Sequence, residues 1–234
     1  MLEHIEQHRT GRGELFRNLI LGGQDGLVNV LGILLGVAVA TQSTQLVLLA
    51  GLAATFAESV SMAAVAYTSA RAEVEHYEAE IAREIWEMEN LPDKEREEIA
   101  EIYKEKGFSG KLLNQVVDKI VSNRKVWLKT MMRDELKLED PRESMSPLKQ
   151  SLIVGVSAII GSLIPIAPFF FFSVNFSIIL SLIISIVFLF VFGAYKSHLT
   201  SGKWLHGGIE LMLIGGAAAL TGYFVGTLFQ ISLT

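Results

Sequence analysis

The chain has 234 residues, half of them apolar, with a mean hydropathy of +0.40 and 19% charged residues, against about 25% charge in an ordinary soluble domain. The apolar residues are clustered, which excludes an ordinary soluble protein. A net charge of −5 and a pI near 5.6 exclude a general nucleic-acid binder, which needs a basic face. The absence of cysteine excludes a disulfide framework, a thiolate metal site and a cysteine nucleophile.

Two apolar blocks, residues 15–70 and 147–231, flank a charged block, 71–146, which holds 14 of the 20 Lys and Arg and 19 of the 25 Asp and Glu. No repeat and no low-complexity tract is evident. Residues 1–13 are charged, and no short apolar stretch with a small-residue cleavage site follows, so no cleavable signal is expected. A bilayer-crossing helix needs about 20 mostly apolar residues. The first block supplies two such spans, about 15–40 and 46–68, joined by the uncharged polar segment 41–45. In the charged block, residues 70–89 lack Gly and Pro and continue from the second span, predicting one long helix. Pro92 and Asp93 interrupt it; a helix over 93–106 stops at Gly107. Ser109 is placed to cap a helix to about 122, and a last helix covers 125–138, ended by Asp140-Pro141. Three further spans follow, about 148–172, 176–195 and 207–231, the first kinked or broken near its end by Pro165 and Pro168.

With five spans, Arg9, Arg12, Arg17, the charged block, Lys149, Lys196 and Lys203 all fall on one side, and the opposite loops carry no Lys or Arg. The positive-inside rule then makes the N-terminus and residues 71–146 cytoplasmic and puts the C-terminus on the other side. The expected fold is an all-α membrane protein: residues 1–70 hold an N-terminal segment and two spans, 71–146 form a cytoplasmic helical metal-binding domain, and 147–234 hold spans three to five.

Three acids lie inside the spans: Asp25, Glu58 and, near the start of the fifth, Glu210. A charge at the bilayer centre costs about 2.5–3.5 kcal/mol on insertion scales, a cost usually accepted for a pathway, relay or ion site. Met62 follows Glu58 by four residues on the same face, and a carboxylate with a thioether suits a borderline transition metal better than Mg²⁺ or Ca²⁺. The alternatives are an ion pair between Glu58 and a basic group on another helix, a lipid-packed Met62 and a wet interface for Glu210. Gly22/Gly26, Gly32/Gly36 and Gly222/Gly226 are GxxxG pairs that permit close helix approach, either within a subunit or between two.

In the charged block, Glu84 with Glu87 and Glu95 with Glu98 each form an ExxE on one helix face, able to grip a shared cation. Met131, Met132 and Glu135 add thioethers and a carboxylate on a later helix, a mixed set that suits Fe²⁺ or its neighbours. A solvated surface is the competing reading for most acids here, including Glu73, Glu75, Glu78 and Glu80, and for His76. Trp86 and Trp127 are expected to pack the small domain.

Together these residues resemble the vacuolar iron transporter family. The resemblance rests on Gln24-Asp25-Gly26-Leu27-Val28, Ser61-Met62-Ala63-Ala64, Glu75-His76-Tyr77, Arg83-Glu84 with Glu87, and Pro92-Asp93-Lys94-Glu95 with Glu98. Asn123, Trp127-Leu128, the Met131–Leu136 run, Gly161-Ser162-Leu163-Ile164-Pro165 and Phe192-Gly193 continue it, so that it covers nearly the whole chain from about residue 15. It implies a five-span homodimer in a lipid bilayer that exports cytosolic Fe²⁺ in exchange for protons. The family's metal-domain ligands match Glu84, Glu87, Glu95, Glu98, Met131, Met132 and Glu135, and its pathway Asp and Met match Asp25 and Met62. Plant-type members carry a Glu where this chain has Ala54; Glu58 lies one turn on, on the same face.

The expected function is therefore a secondary transporter, not an enzyme. It would be a proton-coupled exporter of Fe²⁺, with Mn²⁺ a further possible cargo and selectivity against Co²⁺ and Zn²⁺ left open. Its transport pathway would be Asp25, Glu58 and Met62; protons, divalent metal ions and a second copy are the implied partners, and no organic cofactor or nucleic acid is implied. The membrane would be the plasma membrane in a prokaryote and a vacuole-like organelle in a eukaryote. A metal-gated channel or sensor is the alternative. A membrane-tethered ferritin-like di-iron enzyme is a remote one, because that fold needs paired Glu-x-x-His motifs and only Glu73 with His76 has the spacing.

Overall fold

The computed structural model describes residues 10–200 and 202–230; Arg9 and residue 231 lie outside the described residues. In chain order the helices are α1 (Thr10–Thr41), α2 (Thr44–Asn90), α3 (Pro92–Glu105), α4 (Gly110–Val121) and α5 (Arg124–Thr130), which widens into a π-turn at Met131–Glu135. A 3₁₀ turn (Pro141–Glu143), α6 (Pro147–Ile166), a second 3₁₀ turn (Ala167–Phe170), α7 (Val174–Thr200) and α8 (Trp204–Leu228) complete the order. Every described element is helical. Among the described residues, five helical stretches are long and apolar enough to cross a membrane: Gly13–Thr41, Thr44–Asn90, Pro147–Phe170, Val174–His198 and Trp204–Leu228. The chain divides into two compact units, Met1–Tyr67 with Pro147–Thr234, and Thr68–Ser146.

In the first unit α1 packs against α6 and α8, and α7 packs against α8. Glycine sets these approaches. A Cβ at Gly22 or Gly26 would collide with the Val154 or Ala158 carbonyl oxygen of α6, and one at Gly222 or Gly226 with the Gly32 or Gly36 carbonyl oxygen of α1. All three GxxxG pairs thus serve contacts within one chain, and the choice between intrachain packing and a dimer face falls to the former. Val30, Leu34, Ala38, Val47, Ile166, Phe169 and Val174 form the largest apolar cluster among the described residues, with Ala54 packed against it.

As expected of Pro165 and Pro168, the span is interrupted near its end: α6 runs to Ile166, between the two prolines, and then tightens into the 3₁₀ turn. Carbonyls at a helix end lack intrahelical donors, and here buried serines of α7 supply them: Ser181 Oγ donates to Pro165 O at 2.8 Å and Ser177 Oγ to Pro168 O at 3.1 Å. Across α2 and α6, Ser59 Oγ donates to Gly155 O at 2.8 Å.

The second unit closes on Ile99, Val117, Ile120 and Met131, with Tyr103, Val116 and Trp127 against them. Pro92 opens α3, where a missing N–H costs nothing. Gly107 and Gly110 take φ of +95° and +58° in the α3–α4 connection, a conformation favoured for glycine. Ser109 occupies the N-cap position of α4, but its side chain makes no capping bond. The capping bonds are found at α5 instead, where Asn123 accepts from the backbone N–H of Lys125 and Val126. Trp86, expected in the packing, is 57% exposed. The helix expected over 125–138 is also modified. After Thr130 the backbone steps by five residues, Leu136 N–H donating to Met131 O at 3.1 Å.

Candidate metal sites

The first constellation lies in the spans. Asp25 on α1 and Glu58 on α2 are both half-buried, and their carboxyl groups are within coulombic and hydrogen-bonding reach of one another. Asn29, one turn beyond Asp25, donates from Nδ2 to Glu58 Oε1 at 2.6 Å. Among the described residues no basic side chain acts on Glu58, so the alternative of an ion pair is not what the helices build. Two carboxyls this close repel when both are ionised, and a shared proton or a cation relieves the repulsion. Met62 lies one turn beyond Glu58 and is half-buried, whereas Ala54, one turn before it, joins the apolar cluster. Glu210 is exposed on the first turns of α8.

The second constellation lies in the Thr68–Ser146 unit. Glu84 from the late part of α2, Glu95 from α3 and Glu135 from the π-turn each offer a carboxylate oxygen, all within 4.8 Å of one another. Glu84 and Glu95 are 1% and 0% exposed. Neither oxygen of Glu95, nor Oε2 of Glu84 or Glu135, has a hydrogen-bond partner. Arg83 approaches Glu84 Oε1 at 3.7 Å. An ionised carboxylate is costly to bury without a partner, and burial followed by the neighbouring carboxylates pushes Glu84 and Glu95 up to about 7. The same causes raise Glu135. Such a set of carboxyls can hold either protons or a divalent cation.

Glu87 and Glu98 stand half-buried beside the triad and act on all three of its members by charge; Glu98 is bridged by Lys94 at 3.2 Å. Of the seven residues expected here, the structure therefore brings three carboxylates into direct convergence and leaves two at their edge. Met131 and Met132 are buried one turn before the triad's third acid, Met131 within the apolar core. His76 is exposed, 3.9 Å from Glu80. Sequence reasoning missed Asn29, although its spacing of four from Asp25 on an apolar helix was a usable signal. It also missed the π-turn, a feature often found at functional sites, which ordinary helix-forming residues do not announce.

The VIT family model matches residues 16–227. The vacuolar iron transporter of Centaurea cyanus is 32% identical over 224 residues, 95% of this chain and 91% of that protein. Vacuolar iron transporter 1 of rice, Oryza sativa subsp. japonica, is 34% identical over 221 residues, 94% of this chain and 87% of that protein. The vacuolar iron transporter of Toxoplasma gondii is 31% identical over 238 residues, 98% of this chain and 79% of that protein. With the match running through both constellations, the chain belongs to the VIT family, the vacuolar iron transporters.

Proposed function

We propose that this protein moves Fe²⁺ out of the cytoplasm across a membrane in exchange for protons, with Mn²⁺ as a second cargo. The observation that carries the reading is the Asp25–Glu58 pair inside the apolar spans, held by Asn29 and with no basic partner among the described residues. A carboxyl pair binds either a proton or a divalent cation, so the two compete for one site. If that site faces the two sides in turn, a proton gradient drives the metal uphill. Met62 supplies a thioether that favours Fe²⁺. The Glu84, Glu95 and Glu135 triad, with Glu87, Glu98, Met131 and Met132, collects ions on the cytoplasmic side. The positive-inside distribution supports that sidedness, and the relatives' names support iron as the cargo and a vacuole-like membrane in a eukaryote.

The protein would act as a homodimer. Leu49, Phe56 and Val60 share an exposed apolar face of α2, and Glu58 of the polar pair stands on the same helix. Proteoliposomes with an imposed proton gradient test the transport reading. Fe²⁺ should accumulate above its equilibrium level only while the gradient lasts; flux that merely follows the metal gradient at every pH would replace the exchanger with a channel.

A further inference from the structure

A pocket of about 430 Å³ opens on the second unit, lined by Lys125, Val126, Lys129, Thr130, Arg133 and Asp134. That volume lies within the range of about 300–1,000 Å³ of small-molecule sites. Many cations of the unit are matched to acids, among them Lys94 to Glu98, Arg96 to Asp118, Arg124 to Glu89 and Arg142 to Asp140. Lys125, Lys129 and Arg133 have no carboxylate partner among the described residues. The single acid on the wall, Asp134, is already bridged by Lys106 at 2.7 Å. A concave wall therefore carries three uncompensated positive charges in a protein of net charge −5.

The spacing of those charges selects the ligand. Lys125 and Lys129 are one helical turn apart, about 5–6 Å between side-chain origins, and Arg133 follows on the widened turn. One compact monoanion cannot meet all three. A chain of linked anionic groups can, and the Arg133 guanidinium suits bidentate contact with a phosphate oxygen pair. Thr130 Oγ donates to Val126 O at 2.8 Å, so its hydroxyl proton is committed and the cations carry the recognition. We propose that this pocket binds a phosphate-bearing polyanion with two or more linked or neighbouring phosphates, either a soluble polyphosphate compound or the headgroup of a phosphorylated lipid. The site is separate from the acid triad and independent of whether the protein transports iron.

The test uses the full-length protein, free of metal, in phosphatidylcholine nanodiscs, titrated with inorganic tripolyphosphate by calorimetry. Saturable uptake is expected, weakening as salt rises. Lys129→Gln with Arg133→Gln should weaken it by about tenfold or more, while Lys111→Gln, an exposed lysine on α4, should leave it unchanged. Lys125→Gln alone should weaken it several-fold and reads the same site if the double variant fails to fold. Nanodiscs that include an inositol-phosphate lipid separate the sources. Loss of tripolyphosphate uptake there assigns the pocket to a lipid headgroup; retained uptake assigns it to a soluble anion. Absence of saturable uptake, or uptake equal in wild type and both pocket variants, overturns the proposal.

Discussion

Glu84 of α2 and Glu95 of α3 meet, with carboxylate oxygens within 4.8 Å and almost no solvent exposure, across the break made by Leu91 and Pro92. Such a meeting is costly in the absence of a cation. Neither group has a full set of hydrogen bonds, and each acid makes ionisation of the other harder. Replacing both by Gln should therefore move two measurements in opposite directions. Metal binding to the Thr68–Ser146 unit should fall at least tenfold by calorimetry, because the site loses anionic ligands. Thermal stability without metal, measured near pH 8, should hold or rise, because the penalty of burying charge is gone. A metal-free variant much less stable than wild type would show that the carboxylates serve the fold.

The same geometry sets a pH dependence. Glu84 and Glu95 hold protons up to about pH 7 when folded, against an ordinary value near 4.5. Their folded values are raised, so the unfolded chain loses these protons first. The contribution of these two acids to the stability of the metal-free unit should be fully present below about pH 4.5 and be lost as pH climbs through 7. Metal affinity should run the other way, falling below pH 7 by about tenfold per pH unit for each proton that the ion displaces. Thermal melts and metal titrations across pH 5–8 check both slopes.

Much of this arrangement was legible in the sequence, and the remainder was hidden for physical reasons. Span positions follow from hydropathy, which depends on composition over many residues, and all five expected spans coincide with long apolar helices. The ExxE spacing puts each glutamate pair on one face, but it cannot say which member points inward. Packing decides that, burying Glu84 and Glu95 and leaving Glu87 and Glu98 half-exposed. The GxxxG pairs announce close approach without naming a partner; Gly22 and Gly26 meet α6, while Gly32 and Gly36 meet α8. The π-turn at Met131–Glu135 depends on hydrogen bonding that ordinary helical residues do not encode locally.

Glycine packing gives a matched pair of substitutions on one helix. A Cβ at Gly222 would strike the Gly32 carbonyl oxygen, whereas one at Gly216 would meet nothing within 4 Å. Gly222→Ala should destabilise the protein by about 1–3 kcal/mol, the usual cost of overpacking. Gly216→Ala should be neutral or gain up to about 1 kcal/mol from helix propensity. Denaturation in mild detergent measures both, and equal effects would mean that α1 and α8 are not in contact.

The absence of cysteine makes sidedness directly measurable. Lys111→Cys on α4 and Ser173→Cys before α7 are both at exposed positions. In intact cells or sealed vesicles with the cytoplasmic face inward, a membrane-impermeant maleimide should label Ser173→Cys at once and Lys111→Cys only after lysis. The reverse pattern would turn the molecule over and make the metal-collecting unit non-cytoplasmic.

In the proposed pathway the membrane step rests on Asp25, Glu58 and Met62. Asp25→Asn and Glu58→Gln keep size and polarity while removing the exchangeable proton and the charge. If the pair carries both proton and metal, each substitution should lower Fe²⁺ flux in proteoliposomes by about tenfold or more, equivalent to at least about 1.4 kcal/mol, while the acid triad still binds metal. Glu58 bears particular weight because Ala54 is packed in the apolar cluster and has no carboxylate to offer. Met62→Leu keeps apolar volume and removes the thioether. It should reduce Fe²⁺ flux more than Mn²⁺ flux, because the harder ion gains less from sulfur. A purely structural role forecasts something else for all three: lower yield or stability with normal flux per folded molecule. Wild-type Fe²⁺ flux through monodisperse Asp25→Asn would therefore remove Asp25 from the pathway, and loss of flux with folding and triad binding intact would place it there.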